Sequence, residues 1–134
     1  NQSKFDENNL FKYLQKIIKL FPLKNFKRIY YKKHPRLANI KNDVFFNMLN
    51  EKTSYKIKLI NDNMPIEMTI EDIKAQSIIA AVSTSLINLK LKYGNDINCY
   101  YFGLNNYVKS EYIKYYTKVF NVLSIKPLIL ENDY

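Results

Sequence analysis

Glycine, cysteine, histidine and tryptophan are nearly missing from this chain of 134 residues, which holds two, one, one and none of them. Two glycines cannot build a glycine-rich phosphate loop, and no G-x-x-x-x-G-K-[ST] run occurs. The single cysteine, Cys99, rules out an internal disulfide and agrees with a reducing compartment. One histidine and one cysteine, far apart, argue against a zinc site. No serine stands in a G-x-S-x-G elbow. No apolar run approaches the ~20 residues that span a bilayer, and no signal-peptide pattern opens the chain. A cytoplasmic protein is the expectation. The chain begins Asn1-Gln2-Ser3, without methionine, and is read as a fragment of a longer protein that forms one domain over residues 1–134.

Positive charge is plentiful. Lysine and arginine number 21 against 12 acidic residues, for a net charge of +9. Phosphate-bearing ligands, nucleic acid and anionic lipid are the partners such a charge suits. Lysine is spread over most of the chain, as on an ordinary solvated surface. Twelve tyrosines beside that charge raise the alternative of a basic nucleic-acid-binding module, since aromatics in a cationic groove stack single-stranded bases. Against it, many tyrosines fall at core-facing positions of predicted elements, so no nucleic acid is expected.

The pattern alternates strand and helix. Residues 6–21 read as an amphipathic helix with Leu10, Leu14, Ile17, Ile18 and Phe21 on one stripe and Pro22 at its end. Its lysines also suit peripheral contact with an anionic membrane at the inner face of the cell membrane. Residues 27–32 predict a strand, 41–50 a helix and 55–60 an alternating strand. Pro65 suits the start of a short helix over 66–69, with a second piece around 71–74. Ser77 to Val82 is an almost unbroken apolar run, as in a parallel strand buried on both faces. Residues 86–93 predict a helix stopped by Gly94, and 97–102 a strand. Residues 106–121 predict a helix with Val108, Tyr112, Tyr115 and Val119 inward, and 126–130 an edge strand. The fold class expected is α/β, a Rossmann-like parallel sheet of four or five strands flanked by helices.

Three places gather chemistry, each just beyond a predicted strand, where ligands bind in open α/β sheets. The first is Lys27 to Arg36, in which Pro35 halts a strand at His34, the only histidine, between Lys32, Lys33 and Arg36. The second is Pro65-Ile66-Glu67. The third is Ser83-Thr84-Ser85 at the start of a helix, where hydroxyls, free amides and the helix dipole favour an anion. Taken singly, each has an ordinary explanation: a surface histidine, an acid in a first turn, a serine cap. Together they describe a nucleotide site, with a carboxylate for ribose hydroxyls and hydroxyls plus an imidazole for phosphate.

This set resembles the bacterial sialyltransferases that carry an HP motif and an SS/T motif, among them the lipooligosaccharide and capsular polysaccharide enzymes. The resembling residues are Tyr31-Lys32-Lys33-His34-Pro35-Arg36, Pro65-Ile66-Glu67 and Val82-Ser83-Thr84-Ser85-Leu86. The resemblance implies the C-terminal, nucleotide-binding half of a GT-B glycosyltransferase. Such enzymes transfer sialic acid from CMP-sialic acid to a glycan acceptor with inversion and without a metal or other cofactor. By that likeness His34 would stabilise or protonate the departing CMP phosphate, and Thr84 and Ser85 would hydrogen-bond it. Glu67 would hold the ribose, while Lys32 and Pro35 would border the cytosine. The last motif reads Ser-Thr-Ser, so Ser83 competes with Thr84 as its first member. The family's catalytic base is an acid of an N-terminal domain that this chain lacks, so the chain alone is expected to transfer little. A GT-B enzyme using another nucleotide sugar is the nearest alternative.

Overall fold

The computed structural model describes residues 7–21, 28–32, 44–52, 57–60 and 64–128. They fall into two compact units, one within Glu7–Asn63 and one within Met64–Tyr134. Both units are α/β with parallel strands.

In the first unit, helix α1 (Glu7–Leu20) precedes strand β1 (Ile29–Lys32), helix α2 (Val44–Lys52) and strand β2 (Ile57–Ile60). β1 and β2 pair in parallel, Ile29 with Ile57 through Lys32 with Ile60. A parallel pair needs a crossover, and α2 supplies it. Leu14, Leu49 and Ile57 are buried together, with Ile18, Ile29, Tyr31 and Phe46 packed on them. Tyr31 and Phe46 stack with ring centres 5.6 Å apart. Helical spacing from Leu14 to Ile17 and Ile18 places the apolar stripe of α1 as the sequence predicts. Tyr13 joins it, fully buried.

In the second unit, helix α3 (Ile66–Ile73) leads into strand β3 (Ser77–Ala81), helix α4 (Thr84–Tyr93), a 3₁₀ turn (Gly94–Asp96) and strand β4 (Asn98–Phe102). A short helix α5 (Leu104–Tyr107), helix α6 (Ser110–Val122) and strand β5 (Lys126–Pro127) follow. The sheet order is β3-β4-β5, all parallel. α3 is one helix where the sequence suggests two pieces, and Lys74 closes it at φ +53°. β4 is the central strand, and its Cys99 and Tyr101 are buried with Ile70, Leu86, Leu89, Ile97, Phe120 and Ile125. β3 has one partner strand among the described residues, and Ile78 to Ala81 are half-buried rather than enclosed on both faces. Pro127 suits the edge, where no ladder donor is needed, and residues 129 and 130 of the predicted edge strand lie outside the described residues.

The helix predicted over 106–121 differs from the one observed. It is divided into α5 and α6, with Val108 and Lys109 between them. Its inward face carries Ile113, Tyr116, Phe120 and Leu123, not Tyr112 and Tyr115, which are exposed. Tyrosines at 112, 115 and 116 fit either phase equally well. Phe120, wholly buried 4.5 Å from the Tyr101 ring, decides it. One residue of phase is about 100° of rotation, enough to turn two tyrosines to solvent.

Candidate functional site

The second unit holds the site geometry that the structure describes. β3 ends at Ala81, and the chain enters α4 through Val82 and Ser83. The Val82 N–H donates to the Phe102 carbonyl at 3.0 Å, tying this turn to the end of β4. Ser83 occupies the cap position with an extended backbone, φ −160° and ψ 160°, yet its side chain makes no cap hydrogen bond. The first turn of α4 also carries no acidic residue. Its first amides and positive dipole end are therefore neither capped by a side chain nor balanced by a carboxylate. Thr84, exposed, and Ser85, half-buried, are the first two helical residues. Free amides, a positive helix end and hydroxyls are what an anionic ligand takes up.

α3 begins differently. The Pro65 carbonyl accepts from Met68 N–H at 3.0 Å, Thr69 N–H at 3.2 Å and the Thr69 hydroxyl at 3.4 Å. Glu67 lies in the first turn, where a carboxylate is favoured by the dipole. Its Oε1 is buried and has no hydrogen-bond partner among the described residues. An orphaned buried acceptor costs about 1–3 kcal/mol, and ligand hydroxyls would relieve it.

Topology brings these residues to one end of the sheet. Only Lys74 to Gln76 separate α3 from β3, so α3 runs back antiparallel to β3. Its first turn therefore points towards the end at which β3 finishes and α4 starts. Glu67, Thr84 and Ser85 thus lie towards the carboxyl end of the β3-β4-β5 sheet.

The remaining predicted residues belong to the first unit or lie outside the described residues. Lys32 is the last residue of β1, half-buried, with Tyr31 beside it turned to the α1–α2 core. His34 and Pro35 lie outside the described residues. Cys99 is a core residue. Burial pushes its thiol above the ordinary range, against an opposing pull from Lys90, so it stays protonated and unreactive near neutrality.

At the opposite end of the sheet several polar groups find local partners, while the buried Tyr93 hydroxyl has none among the described residues. Lys90 is buried and its Nζ donates to the Ile97 carbonyl at 2.9 Å. The sequence treats its lysines as surface groups. Lys90 was nonetheless findable, because it stands four residues after Leu86 and next to Leu89 on the buried stripe. The Asn98 N–H donates to the Gln76 carbonyl at 2.9 Å. An open pocket of ≈ 300 Å³ lies there between the ends of α3 and α4, with Glu71 and Lys92 paired at 3.6 Å on its wall. The Glu71 carboxylate, and to a lesser degree Tyr93, hold the Lys92 ammonium above its usual range. Among the described residues, no group of three His, Cys, Asp or Glu side chains is placed to hold a metal ion.

The family model described as alpha-2,8-polysialyltransferase matches residues 2–101. That span ends within β4 and contains Lys32, His34, Pro35, Glu67, Thr84 and Ser85. No curated protein and no solved structure gives a match.

Proposed function

The chain belongs to the alpha-2,8-polysialyltransferase family, and from that membership we propose that it binds CMP-sialic acid and serves inverting, metal-independent transfer of sialic acid to a cell-surface glycan. A sialyltransferase acts on a nucleotide-sugar donor and a glycan acceptor. The finer assignment adds the cytidine donor, the lipooligosaccharide or capsular acceptor, and the role of this chain as the C-terminal, Rossmann-like half of a GT-B enzyme. In it residues 1–134 form the donor-binding domain, and an N-terminal domain supplies the catalytic base. The enzyme works in the cytoplasm.

One observation carries the donor site: the start of α4, without a side-chain cap, lies towards the same sheet end as the partnerless Oε1 of Glu67. Phosphate on the Thr84 and Ser85 hydroxyls and the α4 amides satisfies the first. Ribose hydroxyls donating to Glu67 satisfy the second. Breaking the bond between sialic acid and the nucleotide leaves negative charge on phosphate. Donors aimed at that charge lower the barrier, and losing one costs about 3 kcal/mol. His34 acts on the same phosphate as general acid or cationic partner, a role typically worth about 10²–10⁴-fold. Lys32 and Pro35 border the cytosine.

Calorimetric titration with CMP, with UMP and AMP as controls, tests the proposal. CMP-selective binding weakened by both His34→Ala and Ser85→Ala is expected. Preference for UMP or AMP, or affinity unchanged in both variants, overturns it.

A further inference from the structure

α6 buries one flank and leaves a second apolar flank uncovered. Ile113, Tyr116, Phe120 and Leu123 face inward. Tyr112 and Tyr115 are 50% and 59% exposed, and Val122, at 73%, is the most exposed large hydrophobic among the described residues. At about 100° per residue, Tyr112, Val119, Tyr115 and Val122 fall in one strip beside the buried face. Glu111 and Lys118 border its outer side with Lys114 beyond them, and Lys109 stands at the N-terminal end of the helix, all exposed. Glu111 is the one acid of α6. This helix lies beyond the residues matched by the family model, so nothing is inherited for it from that match.

We propose that the Tyr112–Tyr115–Val122 flank of α6 is a docking surface for an anionic phospholipid membrane. The side-chain chemistry selects this partner. Tyrosines are enriched at the membrane–water boundary, where the ring meets acyl chains and the hydroxyl meets headgroups. A valine exposed to this degree gains from a hydrocarbon boundary and gains little from a sugar or a nucleotide. Three lysines, Lys109, Lys114 and Lys118, against one acid complement anionic headgroups, and each near the surface strengthens binding several-fold. No helix among the described residues is long and apolar enough to cross a membrane, so the contact is interfacial, with α6 lying along the surface. It moves the membrane contact suggested by the lysines of α1 to another helix, and it stands independently of the donor site.

Flotation of the whole chain with vesicles tests it, comparing phosphatidylglycerol–phosphatidylcholine with phosphatidylcholine alone at low salt. The chain is expected to float with the anionic vesicles only and to be released by added salt. Tyr112→Ser with Tyr115→Ser, and separately Lys114→Glu with Lys118→Glu, each weaken flotation by about tenfold, with thermal midpoint and CMP binding unchanged. A Lys12→Glu, Lys19→Glu variant of α1 keeps the parent's binding. No flotation with anionic vesicles overturns the proposal, as does flotation that the α6 pairs leave intact or that the α1 pair abolishes. Self-association or oligonucleotide binding through this flank, without vesicle binding, also overturns it.

Discussion

The two ends of the β3-β4-β5 sheet share helices α3 and α4 and are finished differently. At the amino end, several polar groups find local partners: Lys90 on the Ile97 carbonyl, Asn98 on Gln76, Glu71 on Lys92, although the buried Tyr93 hydroxyl has none among the described residues. At the carboxyl end, Ser83 sits in the cap position without capping, and Glu67 buries an oxygen without a partner. A folded chain has good reason to satisfy such groups, since each omission costs stability. Each end keeps one buried polar atom without a partner among the described residues, Glu67 Oε1 at one and the Tyr93 hydroxyl at the other; only the carboxyl end adds a helix start without a side-chain cap, the combination that suits an anionic ligand bearing hydroxyls. The comparison therefore sorts residues by what their loss should change: affinity at the carboxyl end, stability at the amino end.

The largest separation is expected at α4. Thr84→Val with Ser85→Ala should weaken CMP binding by tenfold or more, since hydrogen bonds to a charged group are worth about 1.5–3 kcal/mol each. Thermal and urea midpoints should hardly move. Ser83→Ala is the control. A capping serine costs about 1 kcal/mol when removed, but this one makes no cap hydrogen bond and should cost almost nothing. A destabilised Ser83→Ala variant would mean that the helix start is closed after all.

Lys90→Ala comes next and acts at the other end. It leaves the buried Ile97 carbonyl without its donor and should cost about 1–3 kcal/mol of stability, read from urea unfolding. CMP affinity should be unchanged. Lys90→Met tests the cause. It keeps the packing of the stem while removing the charge, so a smaller loss than with alanine assigns part of the effect to that stem.

Much of this architecture was legible beforehand, for identifiable reasons. Elements with one dominant pattern came out in place: the α1 stripe, the apolar β3, the strand–hydroxyl–helix junction at 82–85. The outward turn of Tyr112 and Tyr115 was not legible, because side chains that suit both core and surface do not fix a helix phase. The half-burial of β3 was not legible either. An apolar run reports hydrophobicity, whereas the central position of β4 depends on long-range pairing. At the site, residue types and order nominated Glu67, Thr84 and Ser85. That Ser83 would fail to cap depends on side-chain rotamers, which no spacing encodes.

Alkaline pH should weaken the core of this unit. Burial raises the Cys99 thiol and the Tyr101 hydroxyl above their ordinary values of 9.0 and 10.0. Both are acids whose folded form holds the proton more tightly. Their stabilising contribution is complete below the unfolded values and is lost as pH rises from those values towards the raised folded ones. Melting followed from neutral pH upward should show the midpoint falling above about pH 9. Cys99→Ala should remove the earlier part of that fall, after allowance for its cavity. In the same range the folded chain should resist thiol reagents that label it rapidly once unfolded.

The smallest effect is expected at Glu71 and Lys92, and its smallness is informative. The pair is 3.6 Å apart with both side chains more than half exposed, a setting in which ion pairs contribute little. Lys92 is held above its usual range. Any contribution from that shift is thus fully present at neutral pH and is lost only as pH rises through its folded value. Glu71→Gln at neutral pH therefore removes all that the pair offers, and the urea midpoint should stay put at both low and high salt. A clear loss at low salt that vanishes at high salt would make this ion pair a tie comparable to Lys90. The amino end would then depend on surface charge as well as on its buried bonds, and the division between a structural end and a ligand end would hold only at moderate ionic strength.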